Sequence, residues 1–251
     1  MNRNDFRKMF KSAGPVVLPV IHVLDREQAE RNVRVLLNEG AAGCFLINHD
    51  FGVEQFLPII AEVRQKFPSL WLGVNFLATT GKYAFPILGR MKAAGIVVDG
   101  YWADDACIDE RRKIGEQDTA IEIANSLSIS GWNGFYTGGT CFKKQREIAP
   151  EFYGVAARLA TSFMDAVCTS GPATGVAADT QKIETFREAI GDHALLLASG
   201  VTPENVHHYL PNVDGFLVAT GINAPGDFYN IQPRKLARLL TIVQTYGGIA
   251  Q

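Results

Sequence analysis

Polar residues able to do chemistry recur along this chain, each at or just past the close of an apolar run. In order they are His22 and Asp25; Asn48, His49 and Asp50; Asn75; Asp99; Tyr136, Thr137 and Lys143; Thr169 and Ser170; Ser199; and Thr220. Asp50 and Asp99 form the natural proton-transfer pair. An environment that raises one carboxyl pKa and leaves the other ionised makes an acid and a base. Asn75 stands beside them, and Lys143 is placed at the rim as an electrophile for a developing oxyanion or as a Schiff-base amine. Asp104 and Asp105 read as solvated loop charges. Trp102 and Tyr136 are candidates for stacking on a ring of a ligand. His22, Asn48 and His49 complete the catalytic and binding candidates.

A second group suits an anion. Ser199-Gly200-Val201-Thr202 and Ala219-Thr220-Gly221-Ile222 are two small turns, each closing an apolar run. Glycine lets backbone approach an anion, and N–H groups in such turns point at it. A phosphate held by Ser199, Gly200, Val201, Thr220 and Gly221 is therefore expected, with Thr169 and Ser170 from a third hydroxyl-rich loop. Neither turn contains Lys or Arg, so the expected affinity rests on backbone dipoles. A helix starting at Thr202-Pro203 is expected behind the first turn. His22, Asp25, His49 and Asp50 could gather as a divalent-metal set, but they lack a zinc-type spacing, and no cofactor is expected. No P-loop, GxSxG, GxGxxG or CxxC motif occurs.

The elements that must carry these residues follow from periodicity. Apolar, β-rich runs fall at 16–23, 43–48, 70–76, 95–99, 134–138, 164–170, 194–199 and 215–220. Between them lie amphipathic stretches. One, over 28–38, puts Ala29, Val33, Leu36 and Leu37 on one face; another, over 53–67, does so with Phe56, Ile59, Ile60 and Val63. The runs are continuous rather than alternating, as in parallel strands covered on both faces. Such units fit a single (βα)8 TIM barrel over residues 1–251, with 1–14 as a capping segment. The rival, an open doubly wound sheet, usually carries a glycine-rich first turn when it binds a dinucleotide, which is missing here. In a barrel the chemistry sits at the C-terminal strand ends, where these residues were placed.

Composition narrows the partners. Hydrophobic residues make up 47% and charged residues 20%, enough for a folded core. The net charge of −2 offers no basic field for nucleic acid. The apolar run at 13–21 is too short to cross a bilayer. Four well-separated cysteines and an N-terminus without signal-peptide character point to the cytoplasm. A small phosphorylated molecule is the expected partner, and the reading allows a homo-oligomer.

Three ordered segments resemble a known family. Asp165-Ala166-Val167-Cys168-Thr169-Ser170-Gly171-Pro172-Ala173-Thr174-Gly175 is similar to "DAVIVSGxATG". Ala198-Ser199-Gly200-Val201-Thr202-Pro203-Glu204-Asn205-Val206 is similar to "GSGVTPENV", and Asp214-Gly215-Phe216-Leu217-Val218-Ala219-Thr220 to "DGxIVGT". Their order resembles the BtpA family of the ribulose-phosphate-binding barrel group, and Leu72-Gly73-Val74-Asn75-Phe76-Leu77 resembles its "GVNVLxN". The chain departs at the "HxxPLPG" loop after His22, at the "EN" pair (here Asn48-His49), and at a lysine replaced by Asn223. The resemblance implies a soluble barrel of this group. The expectation is an enzyme acting on a phosphorylated sugar or phosphoribosyl metabolite as isomerase, lyase or glycosyl-bond hydrolase. The alternative is a non-catalytic barrel that binds a phosphometabolite or protein as an assembly or regulatory factor.

Overall fold

The computed structural model describes residues 1–249. Eight parallel strands close into a barrel in sequence order, with β8 returning to β1. They are β1 (Val16–Val23), β2 (Gly43–Asn48), β3 (Trp71–Asn75), β4 (Gly100–Ala103), β5 (Phe135–Gly139), β6 (Ala166–Ser170), β7 (Ala194–Ala198) and β8 (Gly215–Val218). An N-terminal helix, α1 (Arg3–Met9), precedes the barrel. The outer helices are α2 (Arg26–Asn38), α3 (Val53–Lys66), α4 (Gly81–Ala93), α5 (Asp118–Ser130), α6 (Tyr153–Ala160), α7 (Thr180–Ile190) and α8 (Pro233–Ile249). This is the TIM barrel expected from the strand spacing.

Alternation along the strands sorts their side chains into two cores. Val16, Leu18, Val20, Phe45, Ile47, Ala166, Cys168, Leu196 and Leu217 fill the barrel interior. Val17, Ile21, Leu46, Val74, Val167, Leu195 and Leu197 face the helices. Helix α1 closes the bottom. Its buried Phe6 sits under Gly215, where a Cβ would meet the ring at 2.9 Å, and against Phe135, ring centroids 5.7 Å apart.

Two expected elements are corrected. The fourth strand is not 95–99 but Gly100–Ala103. Gly95, with φ +80°, ends the turn after α4, and the Val98 carbonyl accepts the indole N–H of Trp132 at 2.8 Å. The apolar run therefore crosses the barrel bottom, and the aromatic Tyr101-Trp102 pair is the strand. The helix expected after β7 is absent as well. Thr202 does hydrogen-bond the Glu204 N–H at 3.2 Å, but the segment yields only turns and a short 3-10 helix, Val206–His208. No helix among the described residues is long and apolar enough to cross a membrane.

Candidate functional site

A cleft opens at the C-terminal mouth, lined by the strand ends and the loops that follow them. Its floor is apolar: Val20, Ile47, Trp102 and Leu217. One wall combines Ser199, Gly200 and Val201 after β7, Thr220 and Gly221 after β8, and Thr174 and Gly175 after β6. The other carries His22, His49, Leu77 and Asp104, with Lys143 and Lys144 reaching in from the loop after β5.

The turns after β7 and β8 are built by close backbone approach. Ser199 and Gly200 both have positive φ, 74° and 69°. A Cβ on Gly200 would overlap the Val176 carbonyl and the Ala177 nitrogen. One on Gly221 would overlap the Val201 carbonyl. These glycines thus let the loops after β6, β7 and β8 stack on one another, rather than making room for an anion as the sequence suggested. The backbone N–H groups of Gly200, Val201, Thr220 and Gly221 have no partner among the described residues, so they remain available as donors. Gly200→Ala should destabilise the barrel by about 2 kcal/mol or more, from left-handed strain plus the backbone overlap. Thermal unfolding of the variant is the check; an unchanged midpoint would mean that the loop after β6 yields freely.

The cation missing from these turns comes from another loop. Lys143 Nζ donates to Ser199 Oγ at 2.6 Å, and its backbone N–H donates to Ser170 Oγ at 2.8 Å. Burial pushes the Lys143 pKa down, while nearby Asp104 opposes that shift. No carboxylate lies within salt-bridge distance of Lys143 among the described residues, so its charge is open to a ligand. Asp104 accepts the Asn75 side-chain N–H at 3.1 Å, and Gln145 ties the Asp104 carbonyl to the β5 loop at 2.9 Å.

His22 is 6% exposed and stacks on Phe228, centroids 3.8 Å apart. Its Nδ1 lies 2.9 Å from the Phe228 carbonyl. A carbonyl only accepts, so Nδ1 carries the proton. Burial, then the neighbouring His49, lowers the His22 pKa to about 4; burial also lowers that of His49. Unfolding restores a value near 6.5, so the unfolded chain binds the extra proton first. The His22 contribution is therefore complete above about pH 6.5 and is lost as pH falls toward 4, a change of about 3 kcal/mol for this one group. Denaturant titrations at pH 7, 5.5 and 4.5 should show that loss, and His22→Gln should make it shallower, leaving the shares of His49 and His193, whose values burial also lowers. An equal slope in both proteins would refute it.

Several sequence candidates leave the site. Asp99 is at the opposite end of the barrel, before β4, where it pairs with Arg64 at 2.6 Å and accepts the Leu72 N–H at 2.8 Å. Misplacing the strand inverted its position. Tyr136 points outward among Phe85 and Tyr101, because β5 turns its alternate face to the helices. Thr169 likewise faces outward, toward the Cys141 carbonyl at 3.5 Å. Thr137 binds the Ala166 carbonyl at 2.8 Å. Asn48 is spent on the Phe51 carbonyl and Leu77 N–H, and Asp25 caps α2 through the Gln28 N–H at 2.7 Å. Asp50 stays at the mouth but is exposed, accepting the Tyr229 hydroxyl at 2.8 Å. Ser170 supports the Lys143 loop. Asn75 is buried beneath the cleft, and Lys143 stands inside it rather than at its rim. Asp104 is the carboxylate that sequence reasoning passed over. Its signal was its position two residues after the inward-facing Trp102. Among the described residues, no three His, Cys, Asp or Glu side chains come together as a metal set.

A closed eight-stranded parallel barrel with a polar cleft at its C-terminal mouth defines the TIM-barrel class. Within it, the BtpA family model matches residues 148–245, which bears out the resemblance read from the motifs of that segment. No curated protein sequence matches the chain. Among solved structures, phosphoribosyl anthranilate isomerase from Thermus thermophilus superposes with a TM-score of 0.60 at 14% identity, over 90% of this chain and 96% of that one. Orotidine 5'-monophosphate decarboxylase from Methanocaldococcus jannaschii, complexed with the inhibitor BMP, gives 0.62 at 12%, over 92% and 99%. A native KDPGal structure gives 0.61 at 14%, over 92% and 95%. At these identities the likeness is one of fold.

Proposed function

We propose that the protein is an enzyme acting on a small phosphorylated sugar or phosphoribosyl-type metabolite, as isomerase, lyase or glycosyl-bond hydrolase. The observation that carries this reading is the reach of Lys143 from the β5 loop to Ser199 at the β7 turn. It brings a half-buried ammonium to a corner where four backbone N–H groups have no partner among the described residues. Charge-assisted hydrogen bonds from that corner hold a phosphate. Asp104, across the same cleft, is the proton-transfer group, held by Asn75. Lys143 also offsets oxyanion charge developing beside the phosphate. The phosphorylated ligands in the names of two fold neighbours are consistent with this reading.

The test uses inorganic phosphate and ribose 5-phosphate as probes. Each should raise the unfolding midpoint, by an amount corresponding to about 2.7 kcal/mol at 100 times its Kd. Phosphorus NMR then follows each of a panel of sugar phosphates in the presence of the protein. Asp104→Asn should keep its affinity for inorganic phosphate and lower turnover by about 100-fold or more. A panel recovered unchanged, with binding intact, would leave the non-catalytic binding barrel. No anion binding at the β7–β8 corner would remove both.

A further inference from the structure

Next to the phosphate turns, from β1 round to β4, the cleft has its own chemistry. His22 and His49 come from the ends of β1 and β2, with ring centroids 4.7 Å apart, and Asp104 from the end of β4; all three line the cleft. The Nδ1 of His22 is spent on the Phe228 carbonyl, so Nε2 is the atom left to meet a ligand, and it holds a lone pair. Asp104 presents carboxylate oxygens, to which, among the described residues, only the Asn75 amide donates. This wall accepts hydrogen bonds. Below it, Val20, Ile47 and Trp102 offer an apolar floor for carbon chain.

Resting on the phosphate reading above, we propose that this wall is a hydroxyl-recognising subsite. In it His22 Nε2 and the Asp104 carboxylate accept hydrogen bonds from the uncharged, hydroxylated end of a phosphate monoester, and a carboxylate at that end is refused. His22 is the specificity-determining residue. A hydroxyl satisfies both acceptors as a donor. A carboxylate has no hydrogen to give, so although Lys143 and Lys144 line the same cleft, it leaves His22 Nε2 and Asp104 without a donor. Among the described residues no metal set forms there.

Calorimetric titration separates the alternatives. Ribose 5-phosphate should bind at least about tenfold more tightly than inorganic phosphate, and 3-phosphoglycerate no more tightly than inorganic phosphate. His22→Asn keeps an amide donor near the Nδ1 position but removes the Nε2 acceptor. It should lose about tenfold in ribose 5-phosphate affinity and keep its affinity for inorganic phosphate. His22→Gln, whose amide oxygen can take the Nε2 place, should recover part of that loss. Nitrogen NMR of the wild-type imidazole gives a readout independent of any variant: Nδ1 protonated and Nε2 bare at pH 6. The proposal is overturned if 3-phosphoglycerate binds as tightly as ribose 5-phosphate, if His22→Asn leaves the latter unchanged, or if Nε2 carries the proton. If inorganic phosphate fails to bind while ribose 5-phosphate affinity still depends on His22, the phosphate corner is wrong and this subsite stands.

Discussion

Asp214→Asn should destabilise the barrel by about 3–5 kcal/mol, without touching the mouth. Asp214 is fully buried at the barrel bottom, just before β8. Its carboxylate accepts from Arg3 Nε at 2.7 Å and from a terminal nitrogen of Arg187 at 2.7 Å. Arg7 approaches to 3.3 Å, and the Leu195 N–H donates at 3.0 Å. Removing the charge leaves three guanidinium groups converging on a neutral amide, with no other carboxylate in salt-bridge contact with any of them among the described residues. For a chain of this length, that loss should lower the unfolding midpoint by roughly 10 °C. Differential scanning calorimetry reads it directly. A drop below about 2 °C would mean that the arginines are solvated well enough to lose their partner cheaply.

Lys143→Met should do the reverse, sparing the fold and removing the ligand. A hydrogen bond from a charged group contributes about 1.5–3 kcal/mol, so phosphate-ester affinity should fall by about 10- to 150-fold. Burial already disfavours the Lys143 ammonium, and methionine fills a similar volume beside Phe142 without that penalty. The unfolding midpoint should hold or rise. Titration calorimetry with ribose 5-phosphate, paired with thermal unfolding, separates the two effects. A lower midpoint with unchanged affinity would make Lys143 a strut between the β5 and β7 loops.

The barrel and the β7 and β8 turns were legible in the sequence because their signals are local. Glycines close the turns, and uninterrupted apolar runs mark parallel strands buried on both faces. What failed depended on register. The true β4 starts five residues later than the apolar run 95–99, and that shift sent Asp99 to the wrong end and hid Asp104. Tyr136 and Thr169 sit on correctly located strands, yet a side chain one position along faces the other way. The alternation in β6, with Ala166 and Cys168 inward and Val167 outward, already implied an outward Thr169. The Lys143–Ser199 contact, 56 residues apart, leaves no local trace. It exists only once two loops are brought over the same mouth.

The clasp at the barrel bottom also bears on the order of folding events. Strands β1 and β8 pair Val16 with Gly215, so the seam that completes the barrel joins the most distant strands, and its loop-closure entropy is the largest of any ladder. The Arg3–Asp214 bond spans 211 residues across that seam. Because that closure is so costly, contacts of this separation are expected to form late in folding. Their loss then accelerates unfolding far more than it slows refolding. Helix α1 therefore acts as a kinetic lock: chains weakened there should refold at nearly the native rate yet open much sooner.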